Sequence, residues 1–511
     1  MWPLLIGLLT STELDVDSVL EQLEALRHER TGTRAVLVEG YALVRGTTLE
    51  YDPRLTLDTD AAGAWNADSL YELQPRRTRP GYVLGLYGEG ELRSGVAVRV
   101  LLDSGEINAA SDLEPPLAGE VVAVDGRTLE DQFASGAFVR EAALVLGHRG
   151  LSLELGRRRT TLASGLLYDD FATGAAATIS APGLGARAPK LDLTVVVVGH
   201  TLDELRQASP LLVAEIGFAP SLFQSVSVFG AYLVDRASLL DGVMQSVAAE
   251  RVIAALATTP LVLDAVLTQL FLTSSAESPN SMGYVGINVD LVPLRGTRLR
   301  LNGVLSRGRI NLAAPVAPDA SAVTLHFALR GFAVAGELSY ALTSHLRLAG
   351  VGFALSGDNA PRLTETTSTT PGELRRDLID YRGYVAISPY WSWSGLFFSG
   401  GLGHALWPGR ASAAGVNGHG VAGGGPLLEL EGDAGRFALR AVYLGALATT
   451  STASASPGWI YGVEIDALGE WHATSWLTAA LEVDLLPLGN YFPEQQLAWR
   501  ALGQLYVHFG R

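Results

Sequence analysis

The chain is predicted to be all-β: a single closed antiparallel barrel of about 16–18 strands crossing a lipid bilayer. Three observations lead there. Apolar and polar residues alternate one by one, as in Val463-Glu464-Ile465-Asp466 and Leu481-Glu482-Val483-Asp484-Leu485, so each stretch has one apolar and one charged face. The uncharged runs, Gly383 to Gly409 and Ala441 to Val463, are cut by Gly, Ser, Thr and Pro into pieces of strand length. A spanning helix needs about twenty continuous apolar residues, whereas nine to eleven suffice for a tilted strand. Finally, tight turns such as Pro293-Leu294-Arg295-Gly296 and Gly432-Asp433-Ala434-Gly435 contrast with long connections at Asn359 to Asp377 and Arg410 to Gly425. In lipid every backbone N–H and C=O must be paired internally, so strands of this kind require closure.

Taken in order, Met1 to Thr12 is uncharged and resembles the apolar core of a signal peptide, without the basic residues that should precede it. Residues 1–12 are therefore expected to be a signal remnant. Residues 13–32 are expected to form a short N-terminal helix, because Val16, Val19, Leu20, Leu23 and Leu26 recur at helical spacing. Residues 33–511 form the expected barrel.

Strand patterning begins at Val36, Val38 and Val44, which face away from Glu39, Tyr41 and Arg45. It continues through Tyr82 to Leu86, Val96 to Leu102, Leu151 to Leu155 and Val226 to Tyr232. Leu193 to Val198 is apolar on both faces. Ile287 and Val289 oppose Asn288 and Asp290, while Leu299 and Leu301 oppose Arg298, Arg300 and Asn302. Leu325, Phe327 and Leu329 oppose Thr324, His326 and Arg330; Leu346 and Leu348 oppose His345 and Arg347; Phe437 and Leu439 oppose Arg436 and Arg440. Val243 to Leu272 breaks the period and reads as a helical hairpin within a long loop, with two further strands as the alternative.

The aromatics fit the same picture. Trp391, Trp393, Phe397 and Phe398 crowd one stretch, and Trp459, Tyr461, Trp471, Trp476, Tyr491, Phe492 and Trp499 fall near strand ends. Girdles of this kind mark both interfaces of a membrane barrel. In the last strand Leu505, Val507 and Phe509 alternate with Gln504, Tyr506 and His508, a closing strand suited to the barrel-insertion machinery.

Composition narrows the function. Charged residues make up only 18% and hydrophobic residues 48%. The net charge of -16 argues against nucleic acid as a partner. With no Cys there is neither a disulfide framework nor a thiolate metal site. The nine His are scattered, with no HExxH, P-loop or G-x-S-x-G sequence, so no catalytic residue, metal or cofactor is expected. Asp169-Asp170 and Asp358-Asn359 read as turn residues. Lys190 is the sole lysine, and a wall rich in Arg suits anionic solutes, because guanidinium binds carboxylate bidentately.

Several phrases in order resemble the alginate-export porin family. They are Leu151 to Arg159 followed by Gly165 to Asp170, then Ser356 to Asn359 followed by Asp380 to Tyr384, then Tyr461 to Asp466 followed by Gly489 to Pro493. The resemblance covers residues 130–511. It implies one barrel of about eighteen strands and passage of an anionic polysaccharide through an Arg-lined lumen. The expected pore-lining groups are Arg140, Arg158, Arg298, Arg300, Arg330, Arg347 and Arg440, with Glu154, Glu337, Glu464, Asp466, Glu482 and Asp484 opposite. The acids late in the chain fit a polyanion poorly. The expected protein is a monomeric channel for polar or anionic solutes, in contact with outer-membrane lipid and lipopolysaccharide. A closed barrel serving as receptor, anchor or hydrophobic-solute carrier is the alternative.

Overall fold

The computed structural model describes residues 36–50, 77–103, 107–108, 138–148, 150–180, 189–198, 209–221, 224–236, 273–274, 280–314, 323–358, 379–387, 394, 420–447, 458–491 and 497–509. The expected signal remnant, the N-terminal helix and the hairpin at 243–272 lie outside them, as do Trp391, Trp393, Phe397, Phe398 and Phe492.

Among the described residues, eighteen long strands form one antiparallel sheet, with the short pieces Ile107–Asn108 and Thr273–Ser274 added to it. They are β1 (Val36–Glu50), β2 (Arg77–Arg93), β3 (Val96–Asp103), β4 (Phe138–His148), β5 (Leu151–Leu162), β6 (Tyr168–Ser180), β7 (Lys190–Val198), β8 (Ser209–Ser221) and β9 (Gln224–Asp235). The second half comprises β10 (Asn280–Leu291), β11 (Thr297–Ala314), β12 (Val323–Ala341), β13 (Leu346–Leu355), β14 (Val421–Gly432), β15 (Gly435–Gly445), β16 (Ile460–Thr474), β17 (Leu477–Pro487) and β18 (Leu497–Phe509). Each strand pairs with the next. The sheet closes where β1 meets β18, from Gly40 opposite Phe509 to Glu50 opposite Trp499. Closure leaves no open edge, which is what a backbone in hydrocarbon demands.

The two ends of the barrel differ. At one end connections are tight, as at 94–95, 292–296, 342–345, 433–434 and 475–476; at the other they run long, as at 51–76, 236–279 and 356–420. Both expected tight turns are present. The long connection expected to reach Gly425 stops earlier, because β14 already begins at Val421.

Alternation sets the two faces. On β16, Val463, Ile465 and Trp471 are 44%, 43% and 61% exposed, whereas Glu464 and Asp466 are fully buried. The same division holds for Val285 and Ile287 against Tyr284, and for Leu338 and Tyr340 against Glu337 and Ser339. Apolar side chains thus cover the outside, and polar ones line much of the inside. Exposed aromatics sit near both ends: Phe218, Tyr340, Phe437, Trp471 and Trp476 toward the turns, Tyr232, Phe332 and Trp459 toward the loops. Tyr461 and Tyr491 instead face inward and pack edge to face, with ring centroids 4.7 Å apart.

The loop end of the lumen holds a dry core. A short 3-10 turn, Ala163–Gly165, leads Leu166, Leu167 and Tyr168 inward. Ile379–Tyr381 lies parallel to β12, and the segment continues inward to Ile387. Tyr384 donates its hydroxyl to the Leu166 carbonyl at 3.1 Å, Tyr284 donates to the Val385 carbonyl at 3.2 Å, and the Ile387 N–H donates to Leu167 at 3.1 Å. Val196, Leu211, Phe229, Leu233 and Met282 supply the apolar inner wall against which these segments pack. Gly331 permits the close approach: a Cβ there would lie 2.6 Å from the backbone of Tyr384.

Candidate functional site

The inner face carries charge in three arcs. The first crosses β15 to β18. Arg440, Asp466, Asp484 and Arg500 are successive cross-strand partners, giving one row with cations outside and two acids between. Because directly opposed side chains sit within reach of one another, Arg440 Nε donates to Asp466 Oδ2 at 2.8 Å and Arg500 Nε to Asp484 Oδ2 at 2.6 Å. Arg500 also reaches Glu482 at 3.0 Å. Arg500 keeps 13% of its side chain exposed, and the others are shielded: Arg440 is 2% exposed, Glu482 1%, Asp466 and Asp484 0%. Ser394, from the long connection before β14, donates its hydroxyl to Glu464 and ties that connection to the wall. Among the described residues, the remaining Oδ1 atoms of Asp466 and Asp484 are buried with no hydrogen-bond donor. Glu464, Asp466 and Asp484 present oxygens within 4.8 Å of one another, the donor type a hard cation prefers, and the two flanking guanidinium groups already balance part of their charge.

The second arc lies at the turn end of β10 to β15. Arg298 grips Asp290 through two bonds of 2.8 and 2.5 Å, and Arg300 approaches the same acid at 3.7 Å. Arg347 bridges Glu337 at 2.7 Å and Glu429, and Arg436 meets Glu429 at 2.5 Å. Arg298 and Arg300 remain 45% exposed. The third arc joins β2 to β5: Arg99 lies 3.3 Å from Glu154, 3.8 Å from Glu141 and 3.6 Å from Glu89, and Arg158 lies 3.5 Å from Glu154. Between these arcs, Asn288 donates to Glu215 at 3.3 Å and Ser227 at 3.1 Å.

Of the residues singled out in the sequence, Arg158, Arg298, Arg300, Arg347, Arg440, Glu154, Glu337, Glu464, Asp466, Glu482 and Asp484 occur on the inward parity of their strands. The side chain of Arg140 is outside the described residues; its backbone sits where the β3–β4 register shifts. Arg330 is placed on the outward face, in step with Phe332 and Val334 and directly opposite Arg307. Its neighbour Leu329 points inward instead, 2% exposed and paired with Tyr381 of the inner segment. The barrel interior is dry at that height, so the apolar residue turns in and the charged one out.

Glu89, Arg99, Glu141, Asp290, Glu429, Arg436 and Arg500 complete the arcs and are not among the expected pore-lining groups. Extending the alternation of Gln504 back along β18 reaches Arg500, so that signal was present. Asp169, read as a turn residue, has both carboxylate oxygens taken by Arg159 at 2.7 and 2.6 Å.

No family model and no curated protein matches the chain. Solved structures do resemble it. A BenF-like porin from Pseudomonas fluorescens Pf-5 aligns over 93% of this chain and 99% of its own, with TM-score 0.48 and 10% identity. OccK2 (OpdF) of Pseudomonas aeruginosa, solved in complex with glucuronate, aligns over 93% and 98%, with TM-score 0.46 and 9% identity. OccAB4 of Acinetobacter baumannii aligns over 94% and 99%, with TM-score 0.44 and 8% identity.

Proposed function

We propose that this chain is an outer-membrane channel that passes small polar or anionic solutes passively along its charged inner wall. The observation that carries the proposal is the division of faces in a closed barrel: apolar side chains outside, three arcs of Arg and carboxylate inside. A hydrocarbon-facing exterior with a polar interior suits a bilayer-spanning pore. Fixed rings of charge then select solutes by sign and size. The half-exposed Arg298 and Arg300 are the groups best placed to meet a solute carboxylate.

The inner segments narrow the loop end. Polysaccharide export fits less well than small-solute passage, because Leu166 to Tyr168 and Tyr381 to Ile387 occupy the loop end of the lumen. A closed barrel acting as receptor or carrier is favoured by a different observation, the apolar core around Leu166, Leu167 and Tyr384. Purified barrel in planar bilayers separates these readings. Discrete conductance steps, reduced by small carboxylates, are expected for the channel. A folded barrel that stays silent, also after the Gly331→Val exchange that should expel the inner segment, contradicts it.

A further inference from the structure

On the outside of the barrel the apolar surface ends abruptly at one row. Along β12 the outward residues run from Tyr340 and Leu338 through Val334 to Phe332, and the next outward residue is Arg330. That apolar run covers about 27 Å along the strand, or roughly 20 Å of height at a ~40° tilt, close to the apolar band of membrane barrels. On β11 the order is the same: outward Leu301 and Leu305, then Arg307 and Arg309, all exposed.

Strand register sets these groups side by side. Arg307 is the direct partner of Arg330 on one side and of Gly283 on the other, and Gly283 pairs with Tyr232. The row therefore reads Tyr232, Gly283, Arg307, Arg330, with Arg309 one step toward the loops. The Tyr232 ring leans over Gly283, 3.9 Å from where a Cβ would stand. Like charges directly opposed on one face of a sheet repel. Among the described residues, the outward face of β9 to β13 carries no carboxylate. The outward Arg159 on β5 differs from Arg307 and Arg309, since Asp169 neutralises it.

We infer that Arg307 and Arg309, with Arg330 beside them, hold the phosphate of a lipid headgroup in the leaflet facing the long loops. The inference rests on the outer-membrane reading above. Guanidinium groups bind phosphate bidentately, and their height just above Leu305 and Phe332 is that of a headgroup whose chains lie along the apolar belt. Tyr232, amphipathic at the same level, would border it.

The test is the phosphorylated lipid retained by the full chain after extraction from outer membranes in mild detergent, measured by mass spectrometry of the extracted lipid. Wild type and Arg295→Gln, a turn-end control, are expected to keep it. The Arg307→Gln/Arg309→Gln double variant is expected to keep about tenfold less, with unchanged heat-modifiable gel migration as the check on folding. Equal retention by the double variant overturns the inference, as does full displacement by inorganic phosphate. Wild type folded in the outer-membrane fraction but free of phosphorylated lipid overturns the site alone. Absence from that fraction overturns the outer-membrane reading with it.

Discussion

The β15–β18 arc and the β10–β11 arc of the inner wall use the same chemistry in opposite surroundings. Arg440 and Asp466 meet at 2.7 Å with 2% and 0% of their side chains exposed. Arg298 and Asp290 meet at 2.5 Å with 45% and 27% exposed. Removing one partner of a buried pair leaves an uncompensated charge, at about 3–5 kcal/mol, whereas an exposed pair contributes about 0–1 kcal/mol. The first arc thus fixes the wall; on the proposed channel reading, the Arg298–Asp290 end of the second can exchange its partner for a solute.

The largest effect is expected in the buried row. Arg440→Ala should destabilise the folded barrel by about 3–5 kcal/mol, read as a fall in the temperature at which the compact gel band is lost. A change no larger than that of Arg298→Ala would erase the distinction between the arcs. Next comes Gly331→Val. Its side chain cannot fit beside Tyr384, so the inner segment should be displaced and conductance should rise. Arg300→Ala should leave stability within about 1 kcal/mol yet shift the reversal potential toward cations, because an exposed lumen cation is lost. The smallest effect is that of salt. Screening acts on exposed pairs far more than on buried ones, so raising ionic strength should weaken selectivity in wild type while its thermal transition barely moves.

Much of this was legible because a strand has period two. Glu464, Asp466, Glu482 and Asp484 alternate with Val463, Ile465, Leu481 and Leu485, and a charged residue beside an apolar one has only one stable orientation in a wall with lipid on one side. The tight turns were legible from Gly and Pro. What alternation alone could not supply is the content of the lumen. Near Leu329 the interior is packed by Tyr381 and Tyr384, so the rule that apolar residues face lipid reverses, and Arg330 was expected on the wrong side of that reversal. Val196 and Val198 illustrate the same effect: Val195 faces out while they face a dry interior, which is why that stretch looked apolar throughout. Cross-strand partnership was equally hidden. Nothing local to Asp466 says that its neighbours are Arg440 on one side and Asp484 on the other.

The division of the two faces is most directly tested by adjacent residues of β11. The chain has no cysteine, so Arg300→Cys and Leu301→Cys each introduce a single thiol. A membrane-impermeant, charged thiol reagent should react at position 300 and lower single-channel conductance in planar bilayers, while the thiol at 301, facing lipid, should stay unmodified. Equal reaction at both positions, or modification at 300 with no change in conductance, would contradict a charged inner wall that lines an open path.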